Sequence, residues 1–132
     1  PSKNLIIKML LQKGADVNKV DQAGNTALHL AFQAMKRLRK EGGEVDLAFE
    51  VLTVDLLLRA GANPDAQNCK GQAPIHIAAQ VNYEPGSDDN LGPLRHLVLA
   101  DCNIDIQDKY HQTPYKIAYK SRNDTVTTYL AE

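Results

Sequence analysis

A chain of 132 residues suffices for one domain built around one core and leaves little room for a second. Aromatic residues make up only 5% and tryptophan is absent, so Leu, Ile, Val and Ala must build that core, which suits closely packed helices better than a thick sandwich. Lys and Arg total 15 against 16 Asp and Glu, a balance without the basic excess through which counterion release drives nucleic-acid binding.

In chain order, the first predicted element is a helix carrying Ile7, Leu10 and Leu11 at the i, i+3, i+4 positions of one face. The same triplet returns as Val54, Leu57, Leu58, then as Leu94, Leu97, Val98, and last as Val126, Tyr129, Leu130. Gly14 and Gly61 follow two of these triplets, where a left-handed residue closes a helix. Asp101 is the weaker substitute after the third.

Each closing residue opens a related segment: GADVN at 14–18, GANPD at 61–65 and DCNID at 101–105. Asp21 to Gly24 and Asn68 to Gly71 then offer an Asx residue to start a turn and a glycine for a positive φ, the chemistry of a tight hairpin turn. Another helix follows each turn, reading TALHLA, APIHIA and TPYKIA. Thr26 and Thr113 are placed to cap it, Pro74 and Pro114 take its first position, and Ala73 forgoes the cap. The distance from Gly14 to Thr26, from Gly61 to Ala73 and from Asp101 to Thr113 is 12 residues each time.

Together the turn, the capped L-H-x-A helix, the apolar second helix and the G-A-x-x-N return resemble the ankyrin repeat. The resemblance implies an all-α solenoid of antiparallel helix pairs with hairpin fingers. It divides the chain into a half repeat at 1–14 and repeats at 15–61, 62–101 and 102–132. Thr26, Ala73 and Thr113 stand 47 and 40 residues apart, which exceeds the standard unit of about 33 by about 14 and 7. Since the 12-residue spacing and the triplets survive, both insertions fall between the two helices of a unit. In the first, Leu28, Ala31, Met35 and Leu38 face Leu47, Val51, Val54 and Leu58 across Gly42 and Gly43, so both helices are expected to gain about two turns, roughly 10 Å each. The second, 82–90, carries turn and acidic residues without periodicity and is expected to be a loop before a helix that Pro93 starts. His111 replaces the turn glycine of the last unit, and Lys116 its motif histidine.

The resemblance implies a module that binds another protein or peptide through finger tips and the concave face of the first helices. Carried onto this sequence, the contact positions are Lys19, Val20, Gln22, Ala23 and Asn25; Gln67, Cys69, Lys70 and Gln72; Lys109, Tyr110, His111 and Gln112. Helix ends add Phe32, Gln33, Gln80, Tyr119 and Lys120. Tyr110 and Phe32 are the expected anchors, since aromatic residues dominate hot spots. The alternative is a regulatory domain that masks a transcription factor or another domain of its own polypeptide through the extended helix pair.

His29 and His76 match the family's structural histidine, whose ring bonds turn backbone and ties fingers together. With His96 and His111 they show no metal-ligand spacing. Ser2, Ser87 and Ser121 lie in no nucleophile-elbow pattern, and no nucleophile, base and orienting group recur together; neither an enzyme nor a cofactor is expected. The basic run from Lys36 to Lys40 reads as a solvated helix end, the alternatives being a patch for an acidic partner or a nuclear-import-like cluster. Asn18 matches an asparagine that hydroxylases modify in some ankyrin repeats, although a turn asparagine bonding its own backbone is the simpler reading. No apolar run approaches the roughly 20 residues of a membrane span, and the first residues lack a signal layout. Cys69 and Cys102 form no CxxC pair, which favours free thiols in a reducing compartment, cytoplasmic or nuclear. The helical pattern begins straight after Pro1, as expected of a module within a larger polypeptide.

Overall fold

The computed structural model describes Gly14, residues 16–81, Tyr83 and residues 91–131. The helix expected around Ile7 and Leu10 lies outside these residues, as does most of the 82–90 insertion. Six helices are described: α1 Ala27–Lys40, α2 Leu47–Arg59, α3 Pro74–Ala78, α4 Gly92–Leu99, α5 Pro114–Lys120 and α6 Asp124–Leu130. No strand occurs among the described residues.

The helices pair as α1 with α2, α3 with α4 and α5 with α6; α1, α3 and α5 stack as one layer, and α2 packs on α4 in the other. The core is aliphatic, as the composition requires. Leu28, Val54, Ile75, Leu94, Leu97 and Val126 are fully buried, and the triplet partners Leu58, Val98, Tyr129 and Leu130 pack around them partly covered. The first insertion lengthens both helices: α1 runs to 14 residues and α2 to 13, against five for α3 and eight for α4.

Local chemistry sets the helix boundaries. Thr26 caps α1 in a reciprocal box: its hydroxyl accepts from the His29 amide, and the Thr26 amide donates to His29 Nδ1 at 3.0 Å. Thr113 caps α5 by accepting from the Lys116 amide at 3.2 Å. Ala73 has no capping side chain, yet its amide still donates to His76 Nδ1 at 2.9 Å. At the end of α2, the Gly61 amide donates to Leu58 O and the Ala62 amide to Leu57 O, at 3.1 and 3.0 Å, closing the helix through a left-handed glycine. Asp101, His111 and Arg122 hold the left-handed conformation without being glycine, at φ 61°, 62° and 56°.

Two expectations need correction in this part of the molecule. The basic run is not uniformly solvated. Arg39 turns inward to a bidentate pair with Glu50, both bonds at 2.8 Å, with side-chain exposures of 10% and 6%. The guanidinium also sits 5.5 Å from the ring centroid of Tyr83. Tyr83, expected in the solvated insertion, is itself buried.

Candidate partner-binding surface

Three turns of one design form the fingers. Asp21, Asn68 and Asp108 each accept two amide hydrogens through one side-chain oxygen: from Ala23 and Asn25, from Lys70 and Gln72, and from Tyr110 and Gln112, all at 2.8–3.0 Å. Backbone pairs at 3.0 Å close them, from Asp21 to Asn25, Asn68 to Gln72 and Asp108 to Gln112. The amide donors around Asp21, those of Asn25 before all others, hold its carboxyl below the usual range.

Neighbouring fingers are then bonded edge to edge. The Cys69 amide donates to Ala23 O at 2.9 Å, and the Lys109 amide to Lys70 O at 3.1 Å. This approach requires the turn glycines. A Cβ on Gly24 would stand 3.1 Å from Cys69 N, and one on Gly71 only 2.5 Å from Lys109 N.

The two motif histidines tie each helix start to the next finger. His29 Nδ1 accepts from Thr26, so Nε2 carries the proton and donates to Gln72 O at 2.8 Å. His76 repeats the arrangement with Ala73 and Gln112 O, the latter at 2.9 Å. Burial holds the His29 ring below the ordinary histidine pKa.

A second ladder joins the return segments. Asn18 Nδ2 donates to Gly61 O at 3.1 Å and its Oδ1 accepts from the Asn63 amide at 2.7 Å; Asp65 accepts from the Asn103 amide at 2.7 Å. Asn18 therefore bonds the next unit through its side chain, not its own turn as the simpler reading held. Asn123, the residue before α6, reaches back to the preceding unit, donating to Ala79 O and Val81 O at 3.1 and 2.7 Å.

Most expected contact residues emerge along this edge. Lys19, Val20, Gln22, Ala23, Gln67, Cys69, Lys70, Lys109, Tyr110, His111, Tyr119 and Lys120 are exposed; Gln33, Gln72, Gln80 and Gln112 are half-buried. Two are not available. Phe32 is completely buried, and Asn25, which receives a bond from Asn68, is 8% exposed. Phe32 sits one helical turn after Leu28, on the core side of α1, so the ring expected as an anchor is part of the packing. Lys36 of the basic run is exposed and donates to Gln80 Oε1 at 2.5 Å.

On the opposite layer, Leu47, Ala48, Val51 and Leu52 of α2 form an apolar groove with Gly92, Arg95 and His96 of α4. Leu47, Ala48 and Val51 lie in the added part of α2, ahead of the position that matches Gly92 at the start of α4. The periodicity identified that lengthening but not the groove.

No group of three or more His, Cys, Asp or Glu that could hold a metal ion occurs among the described residues. No helix among them is long and apolar enough to cross a membrane.

A one-dimensional stack of helix pairs, bonded through successive fingers, defines a helical repeat solenoid. Ankyrin-repeat sequence profiles match residues 2–38 and 23–69, and the chain belongs to the ankyrin-repeat family. It is 38% identical over 81 residues to the fowlpox virus ankyrin repeat protein FPV228, covering 58% of this chain and 15% of the viral one. FPV031 of the same virus is 28% identical over 130 residues, covering 95% of this chain and 32% of that protein. An intracellular phospholipase A2 of Caenorhabditis elegans is 34% identical over 81 residues, 60% of this chain and 6% of the enzyme. The chain thus spans at most 32% of the length of these relatives. Ankyrin repeats are in general protein-interaction modules and are typically non-enzymatic.

Proposed function

We propose that this chain is a protein-interaction scaffold within a larger polypeptide, binding one protein partner along its finger tips and the concave face of α1, α3 and α5. The observation that carries the reading is the continuous backbone bonding between fingers. It presents Gln22, Lys70, Lys109 and Tyr110 on one rigid, exposed edge, and a rigid edge loses little freedom on binding. Its occupants are polar, cationic and aromatic, which suits the rim and anchor of a protein interface. The two free thiols, Cys69 and Cys102, suit a reducing compartment, the cytoplasm or nucleus, for such a module.

The masking alternative rests on the apolar groove between α2 and α4, with Leu52 40% exposed beside it. One experiment separates the two. The chain is used as affinity bait, the retained protein is identified, and its affinity is measured for Tyr110→Ala, for the pair Gln22→Ala and Lys70→Ala, and for Leu52→Glu. Loss with the finger variants and a neutral Leu52→Glu supports the finger reading. Loss confined to Leu52→Glu overturns it in favour of the groove.

A further inference from the structure

The net charge of −1 hides an uneven distribution. The helices of the inner layer, α1, α3 and α5, contain no Asp or Glu, and their Lys and Arg residues are Lys36, Arg37, Arg39, Lys40, Lys116 and Lys120. Acids gather instead on the outer helices and the return segments, as Glu50 and Asp55 of α2, Asp124 of α6, and Asp65, Asp101 and Asp105. The fingers follow the inner layer. Across residues 19–25, 66–72 and 106–112 the only acids are Asp21 and Asp108. Turn amides already occupy both carboxylates, and Asp108 is buried.

At the tips of the second and third fingers this leaves uncompensated charge in one place. The Lys109 amide donates to Lys70 O at 3.1 Å, so two like-charged residues are held side by side by their own backbone. Both are exposed. The ion pairs among the described residues are Arg39–Glu50 and Arg59–Asp55, and neither lysine belongs to one. The Lys109 ammonium lies 5.4 Å from the centroid of the Tyr110 ring, which is 63% exposed. Exposure at these tips belongs to the finger design. Cys69 and Lys70, which hold in the middle finger the places that Lys109 and Tyr110 hold in the last, are exposed with a finger bonded on either side.

We propose that Lys70, Lys109 and Tyr110 form a binding site for an acidic segment of a partner protein, with carboxylates on the two ammonium groups and an apolar side chain laid on the Tyr110 ring. This names the partner chemistry of the finger-edge reading above and rests on that reading. A carboxylate seated between two fixed cations relieves their mutual repulsion as it pairs with both. Two other occupants fit less well. A second copy would have to offer free carboxylates, yet Glu50 and Asp55 are paired with Arg39 and Arg59, and Asp65 accepts the Asn103 amide. Nucleic acid gains affinity by having many phosphates neutralised in a row, whereas the fingers offer Lys19, Lys70 and Lys109 interrupted by Gln22, Gln67 and Gln72.

The test selects peptides from a displayed random library on the whole chain, then titrates a selected peptide, made synthetically, at low and high salt. Enriched peptides should carry Asp or Glu beside an aliphatic or aromatic residue. Lys70→Glu with Lys109→Glu should weaken binding by about tenfold or more and remove most of its salt dependence. Tyr110→Ala should weaken it by about tenfold at either salt concentration. Charge reversal exchanges one like-charged pair for another, and all three side chains are exposed, so helical circular dichroism should be unchanged in both variants. Arg59→Glu, a reversal of the same kind on α2, should leave the affinity intact; a loss equal to that of Lys70→Glu alone would reduce the effect to net charge and overturn the proposal. Peptides without acidic enrichment whose binding is lost on Tyr110→Ala and on Gln22→Ala would keep the finger reading and sink this proposal. Binding lost only on Leu52→Glu would sink both. Tighter binding of an oligothymidylate than of any selected peptide, or a concentration-dependent dimer dispersed by the double lysine variant, would each overturn it as well.

Discussion

Gly71 lies so close under the neighbouring finger that a Cβ placed on it would stand 2.5 Å from the amide nitrogen of Lys109, the same amide that donates to Lys70 O. At φ 72° the position already disfavours any L side chain by about 1 kcal/mol. Gly71→Ala adds a collision with backbone, which cannot rotate aside, and parts the two fingers. The expected loss is about 2–3 kcal/mol, read by chemical denaturation. Gly61→Ala, at φ 96° with open space around it, should lose only the conformational part. Equal losses at the two sites would show that the fingers yield.

His111 takes the equivalent place in the last turn with φ 62°. His111→Gly relieves left-handed strain but also loosens the unfolded chain, so a gain of up to about 1 kcal/mol is expected. A melting temperature that stays level or falls would mean that the imidazole makes a compensating contact.

Stability should also depend on pH through His29. Burial lowers its folded pKa below the unfolded value of 6.5, so the unfolded chain binds the proton more readily. The contribution is present above 6.5 and is lost as pH falls from there through the folded value. Unfolding at pH 7.5 and 5.5 should therefore show a less stable protein at the lower pH, and His29→Gln should shrink the difference. Asp21 adds a second loss further down: its carboxyl is lowered from 3.8, so its contribution disappears only as pH falls below that value.

The Arg39–Glu50 pair is nearly sealed from water. Arg39→Ala would leave Glu50 buried without its partner, at a cost of about 3 kcal/mol, whereas Arg39→Met with Glu50→Leu should come out close to neutral. Lys40→Glu, one residue on and exposed, should change little. Thermal unfolding of the four proteins distinguishes a buried pair from a surface one. A negligible effect of Arg39→Ala would place the pair in water.

Much of this fold is legible in the sequence because it is written in backbone requirements. Gly24, Gly71, Thr26 and the two motif histidines each answer a local need, whether a positive φ, an orphan amide or a carbonyl on the next finger, and those needs recur at fixed spacing. Phe32 and Arg39 were less readable because their surroundings come from other elements. Phe32 is covered as its counterpart Ala79 is, and Arg39, in the added turns of α1, meets Glu50 of α2. Tyr83 is hidden for a related reason: an aromatic among turn residues shows no period. Asn18 and Asn123 look like ordinary turn and cap residues, since bonds between units some forty positions apart leave no local trace. Of the candidate contact positions, most of those at the fingers are exposed, where backbone geometry dictates it, whereas Phe32 on α1 is buried.

The two cysteines differ in a way that makes the finger edge experimentally addressable. Both are free. Cys102 is buried, and burial pushes its thiol up to about 11, leaving almost no thiolate near neutrality. Cys69 is exposed in the middle finger turn, its amide bonded to the first finger. A thiol-directed dye should consequently mark Cys69 ahead of Cys102 in the folded protein. One native atom, with no mutation, then reports on whatever comes to rest against that edge.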